Sequence, residues 1–186
     1  MIGKLPQAWC IFVAVSILGG VIHSKDWRGV VPLQSTRAHV ERLLGSPPPP
    51  PTDGTRAYIL HPARSIYFLE EAEVYFVYAT ADNLALNECS KTVPLDTVLM
   101  IMVSPRKKSL IGSWETNLDL FRTFDPSEGS AKGYEGFLNE EVGLVIRTFE
   151  GRVDQLVYLP TIGEMRKCPS YYEDPEKFVM ILTESF

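Results

Sequence analysis

Beyond residue 24 the chain carries two histidines, His39 and His61. His39 follows Ser35 by four residues, on the polar side of a predicted helix. A Ser–His nucleophilic pair also needs an orienting acid and an oxyanion site. The sequence offers neither, and Ser35 is better placed as a helix cap. His61 precedes Pro62 in a loop, with no second ligand at zinc spacing. The neighbours of Cys89 and Cys168 contain no paired Cys or His. Carboxylates cluster twice, as Glu70, Glu71 and Glu73 and as Glu140 and Glu141. Paired acids can do general acid–base work when burial raises one pKa. At hairpin tips they more often serve as solvated charge. There is no Asp-x-Asp-x-Asp-Gly calcium loop, and the glycines match neither the phosphate-binding loop nor the dinucleotide fingerprint. No catalytic, cofactor-binding or metal-binding residue is therefore assigned.

Binding is the chemistry that remains. Tyr67, Phe68, Tyr75, Phe76 and Tyr78 form the densest aromatic cluster of the chain. Tyrosines offer large area, few rotors and a polar tip, which suits recognition. Two readings are open: these rings fill a core, or Tyr67, Tyr75, Phe76 and Tyr78 form a binding surface for a partner or ligand. Arg106-Lys107-Lys108 supplies three charges, too few to imply an anionic lipid or wall polymer.

The elements that must position these residues start after a leader. Residues 1–24 hold one charged side chain, Lys4, followed by an apolar run from Ala8 to Ile22. A positive start and an apolar stretch of this length read as a cleavable signal peptide. The run falls short of the roughly 20 residues that span a bilayer, so an uncleaved membrane anchor is the alternative. Cys10 sits inside the run without a lipobox, which argues against a lipoprotein. No stable transmembrane span is expected after cleavage. The chain's formal net charge is −5, one unit more negative without Lys4, and this argues against nucleic-acid binding. Residues 25–186 have the length of one domain. Cys89 and Cys168 remain after export, and in an oxidising compartment they suggest one disulfide. Two separate buried thiols are the alternative.

Ser35 to Gly45 is predicted to be a helix. Ser35 or Thr36 caps it, Val40, Leu43 and Leu44 share one face, and Gly45 ends it. A proline-rich loop follows at 46–53, where prolines 47–51 forbid continuation. The period then changes to two. Arg64–Leu69 and Val74–Tyr78 read as a hairpin with an acidic link, apolar on both faces and so covered on both sides. Thr97–Val103 reads as a central strand. Leu118, Leu120, Phe121 and Phe124 suggest a short helical turn, and Gly129, Gly133 and Gly136 break regular pattern nearby. Leu144–Phe149 and Arg152–Leu159 flank Glu150-Gly151 as a tight hairpin. That register sets Arg147 opposite Asp154 and puts Leu144, Ile146, Val153 and Val157 on the core side. Tyr171, Tyr172 and an apolar stretch from Phe178 to Leu182 form the tail. Phe68-Leu69-Glu70-Glu71 recurs as Phe137-Leu138-Asn139-Glu140-Glu141, each followed by an apolar strand; a duplicated unit and coincidence are both open readings.

The run Val30-Val31-Pro32-Leu33-Gln34-Ser35-Thr36-Arg37 through Val40-Glu41-Arg42-Leu43-Leu44-Gly45 resembles the opening of a family of uncharacterised exported bacterial proteins. Those continue with a Tyr-rich hairpin and end in Cys-Pro, as Cys168-Pro169 does here. The same helix more remotely resembles the small outer-membrane-assembly lipoprotein and the β-lactamase-inhibitor-like fold, which implies a helix on an antiparallel sheet used for protein binding. The lipobox is missing here and the proline run is extra. The expected fold is α+β, an antiparallel sheet of about five or six strands with the short N-terminal helix packed on one face. The expected function is a non-enzymatic module of the envelope or secreted space (periplasmic, if bacterial) that binds another protein. The alternatives are a carrier of a small apolar ligand, held between the helix and the aromatic hairpin, and a hydrolase whose acids converge only in the fold.

Overall fold

The computed structural model describes residues 26–48, 63–86, 89, 92–113, 117–125, 133–169 and 172. The leader, Pro49 to Pro51, His61, Tyr171 and 178–182 lie outside them. Seven strands make one antiparallel sheet: β1 (Arg64–Phe68), β2 (Ala72–Tyr78), β3 (Val98–Pro105), β4 (Arg122–Phe124), β5 (Tyr134–Asn139), β6 (Leu144–Phe149) and β7 (Arg152–Tyr158), in the order β1-β2-β3-β7-β6-β5-β4. The α+β class holds, but the strand count exceeds five or six. The extra strands β4 and β5 lie where glycines hide the two-residue period. Gly136 is not a break. A Cβ there would stand 2.4 Å from Phe124 Cζ, so the bare glycine is the seat for the Phe124 ring. Covering a strand glycine with a neighbouring aromatic ring is a known device of sheet edges.

Helix α1 is Arg37–Leu44. Its cap is Thr36, whose hydroxyl accepts from the His39 N–H at 3.4 Å, rather than Ser35. Gly45, at φ 82°, ends it as expected. Val40 is buried and Leu44 packs beside it, but Leu43 is 49% exposed and leaves the predicted apolar face. Two short helices were not anticipated, α2 (Ala81–Leu86) and α3 (Ile162–Met165). A 3-10 turn at Leu118–Leu120 matches the expected helical turn, whereas Phe124 belongs to β4.

Both faces of the sheet are apolar. On one, α1 and the lead-in residues Trp27 and Val30 pack against Tyr67, Phe76, Tyr78, Val98 and Ile101. On the other, Leu84, Met165, Cys168 and Tyr172 pack against Tyr75, Leu99, Met102 and Val157. Cys89 and Cys168 form a disulfide on this second face. Beside it the Tyr172 hydroxyl donates to the Leu99 carbonyl at 2.8 Å.

The sheet is internally symmetric. β3 and β7 pair with Met102 opposite Val157, Ile101 opposite Tyr158 and Val103 opposite Leu156. A two-fold axis normal to the sheet between Met102 and Val157 exchanges β3 with β7, β2 with β6 and β1 with β5. Every register agrees. Val74 pairs with Tyr67 and Val103, and its counterpart Leu144 pairs with Asn139 and Tyr158. The bulges agree too. In the first half Leu99 is the extra residue between the Val77–Met100 and Tyr78–Val98 pairs. In the second, Asp154 is the extra residue between Arg147–Gln155 and Thr148–Val153. Bulges are built-in features of a sheet rather than accidents, and their shared position extends the two-fold correspondence to the irregular part of both three-strand units. The sequence echo finds the right two hairpins and the right match of β2 to β6. It misaligns β1 with β5, because the counterpart of Asn139 is Tyr67.

The bulge also corrects the second hairpin. Arg147 stands opposite Gln155, not Asp154, and Val157 falls on the opposite face from Leu144, Ile146 and Val153.

Candidate functional site

The aromatic hairpin is core. Tyr67 is 2% exposed, Tyr75 8%, and Phe76 and Tyr78 are fully buried, so these four do not form an exposed binding surface. They lie on both faces, with Tyr75 on the disulfide side and the others under α1. Trp27 and Tyr67 meet Phe76 edge to face at 5.8 and 5.7 Å. Tyr67 donates to the Gly45 carbonyl at 3.1 Å, the Tyr78 and Ser65 hydroxyls bond at 2.7 Å, and the Arg37 guanidinium lies 4.0 Å from the centre of the Tyr78 ring. Side chains thus occupy the interval between helix and hairpin where the alternative reading places a carried ligand. Burial pushes the Tyr78 and Tyr67 hydroxyls above the usual phenol range, which fits groups that stay neutral.

The acids of the two turns stay apart. The two-fold axis puts the β1–β2 and β5–β6 turns at opposite ends of the sheet. Glu71 pairs with Arg28, and Glu140 with Arg122 at 3.3 Å. The His39 Nδ1 does lie 3.2 Å from Ser35 Oγ. That hydroxyl is buried and accepts from the Val31 N–H at 2.9 Å, so it braces the lead-in to α1.

The polar centre that stands out is at the second bulge. Lys108 Nζ and Arg147 Nη2 both donate to the Asp154 carboxylate, each at 2.5 Å. The side chains of Arg147 and Asp154 are only 10% and 13% exposed, and that of Lys108 is 47% exposed. The Arg147 guanidinium stands 5.0 Å from the centre of the Tyr134 ring, within cation–π range. Tyr134 in turn meets Phe149 at 4.8 Å, and both rings are half-buried. Burial pushes the Asp154 carboxyl up, but the hydrogen bonds and charges of Lys108 and Arg147 outweigh it and hold it below the usual carboxylate value. Two buried polar atoms here have no hydrogen-bond partner, Arg147 Nε and Gln155 Oε1.

The equivalent bulge of the first half is built without this chemistry. Arg147, Asp154 and Gln155 occupy the places that Val77, Leu99 and Met100 fill in the first half, where all three are buried. Replacing a buried ion pair by apolar residues of similar volume is often neutral or stabilising, so the second half departs from the cheaper solution. The sequence pattern pairs Arg147 with Asp154 as cross-strand charge matching and places Lys108 in a basic loop, but it carries no sign of Tyr134, Phe149 or Gln155 beside them. The available signal was charged residues interrupting the otherwise apolar strands β6 and β7.

Among the described residues no helix is long and apolar enough to cross a membrane. No family model, curated protein or solved structure matches the chain.

Proposed function

We propose that the chain is an exported, non-enzymatic protein-binding module, and that it meets its partner at the second bulge, around Tyr134, Arg147, Phe149 and Lys108. The carrying observation is a charged cluster at the bulge whose equivalent in the first half is apolar, set beside two half-buried aromatic rings. Tyr and Arg are the residue types that most often anchor protein interfaces. The Cys89–Cys168 disulfide supports export, because such bonds persist in oxidising compartments and are rare in the cytosol. The leader-like first 24 residues support the same compartment.

Two measurements test the reading. The full chain, expressed with its own leader, should be recovered from the envelope or medium with residues 1–24 removed. A photo-crosslinking phenylalanine analogue at position 149 should then trap one discrete envelope or secreted protein, and the same analogue at position 41 on α1 should not. An intact leader would overturn export. Equal or absent trapping at the two positions would overturn the binding site.

A further inference from the structure

We infer that the second bulge is a receptor for a carboxylate, specifically an acidic side chain presented by the partner protein. The inference rests on the protein-binding reading and adds the chemistry of the contact.

Donors and charges at the site are unbalanced in one direction. Arg147 and Lys108 share a single carboxylate, that of Asp154, which leaves the group one negative charge short of neutrality. Arg152 adds a further cation at the rim, where its Nη1 donates to the Lys108 carbonyl at 3.4 Å. The unpartnered Nε–H of Arg147 is a donor in need of an acceptor. Bare N–H groups of a guanidinium fixed by another partner are the usual seat for a carboxylate oxygen. The residue is fixed: Asp154 holds Nη2 and the Tyr134 ring lies against the guanidinium.

Gln155 supplies the second contact. It pairs with Arg147 across the strands, and its Oε1 has no donor. A half-turn of the amide exchanges Oε1 for the N–H pair, since a side-chain amide carries an acceptor and two donors on opposite sides. Both positions are sealed from solvent in the free chain, so the side chains around them must give way on binding for a carboxylate to accept from Arg147 Nε and Gln155 Nε2 together. Lys108, half exposed, can swing from Asp154 toward the incoming charge. The first half of the chain gives the contrast. Its equivalent bulge is built from Val77, Leu99 and Met100, and the chain's own Tyr172 bonds to the Leu99 carbonyl. Nothing in the repeated backbone explains why the second copy buries an arginine, an aspartate and a glutamine.

The arginine Nε–H and glutamine amide signals can be followed directly in the disulfide-intact, nitrogen-15-labelled protein. The probes are acetyl-Glu-Glu-amide, acetyl-Gln-Gln-amide and inorganic phosphate, at matched ionic strength. The expected result is a saturable shift of the Arg147 Nε–H and Gln155 amide signals with the acidic peptide and none with the neutral one. Lys108→Ala should weaken that response about three- to fivefold, the worth of one half-exposed ion pair, and Lys107→Ala should leave it unchanged. A response to phosphate but not to the acidic peptide would mean a free oxyanion site and overturn the inference. So would no response to any probe, with a long-lived water contact at Arg147 Nε–H, since a trapped water would then explain both bare atoms. Crosslinking from position 149 together with a silent Arg147 would keep the proposed function and reject the carboxylate.

Discussion

Arg147 and Asp154 are joined at 2.5 Å across a bulge that takes Asp154 out of register, so the arginine's cross-strand neighbour is Gln155. The pair is mostly buried, and removing one member leaves the other uncompensated. Asp154→Asn should cost about 3 kcal/mol at neutral pH. The Asp154 carboxyl is held below its ordinary value in the folded chain. Its contribution is therefore present above the unfolded pKa of about 4 and is lost as pH falls through the lower folded value. Urea melts from pH 6 down to 2.5 should show the gap between wild type and Asp154→Asn closing below about pH 4. A gap that stays constant would mean the carboxylate is not the stabilising species.

Gly143 and Gly151 both sit at positive φ, +64° and +71°, but in different surroundings. A Cβ at Gly143 would lie 2.2 Å from the Leu159 carbonyl oxygen, whereas one at Gly151 meets nothing within 4 Å. Gly151→Ala should cost only the left-handed penalty, about 1 kcal/mol. Gly143→Ala must also push backbone aside and should cost about 3 kcal/mol. Equal losses in chemical denaturation would contradict the tight packing of the β5–β6 turn on the end of β7.

Reducing the disulfide releases the segment that carries Cys168 and Tyr172. The bond closes a loop of 79 residues, and a crosslink of this kind contributes about 2–4 kcal/mol. The paired Cys89→Ser and Cys168→Ser variant should lose that amount and expose the Leu99 carbonyl that Tyr172 now satisfies. Unchanged stability after reduction would show that the native contacts of Tyr172 hold the segment without the bond.

How far these features could be read from sequence follows from where each signal resides. Helix α1 and the two obvious hairpins are local patterns, and the cysteine pair, 79 residues apart, follows from counting the cysteines that remain beyond the leader; each was legible. β4 and β5 were not, because Gly133 and Gly136 remove side chains from the period while Phe124, a dozen residues away, supplies the missing ring. The aromatic hairpin leaves two readings open, because its residue types suit recognition while its two apolar faces call for cover; α1 on one face and the disulfide segment on the other decide for core. The bulge at Asp154 inverts the facing of everything after Val153 and has no mark in the sequence. It moved Val157 to the other face and turned a simple ion pair into a site.

Buried tyrosines give an alkaline counterpart to the acid limb. Burial first, and the charge of Asp26 second, push the Tyr158 hydroxyl up to about 12, and burial raises Tyr78 and Tyr67 as well. A raised folded pKa gives stability that is complete below the unfolded value near 10 and is lost as pH rises through the folded one. Ultraviolet titration should therefore show Tyr67, Tyr78 and Tyr158 as a late group that ionises only well above pH 10, together with loss of structure. Ionisation of all tyrosines in one step near pH 10, with the fold intact, would contradict their burial.

The two halves of the sheet allow the site to be exchanged rather than merely damaged. Arg147→Val, Asp154→Leu and Gln155→Met together write the residues of the first bulge into the second, on a backbone that already accepts them at Val77, Leu99 and Met100. Single changes at a buried charge pair are destabilising because they orphan the remaining partner, but complete replacement often leaves stability unchanged or raises it by about 1–4 kcal/mol. The triple variant should therefore melt at or above wild type while losing the response to the acidic peptide and the crosslink from position 149. Stability retained with binding lost would separate the two roles, and show that this corner keeps its charges for a partner and not for the fold. A variant that unfolds would show instead that the second bulge needs its ion pair for structure. That result would remove the main reason for reading it as a site, since the duplicated apolar bulge would no longer be an equivalent solution.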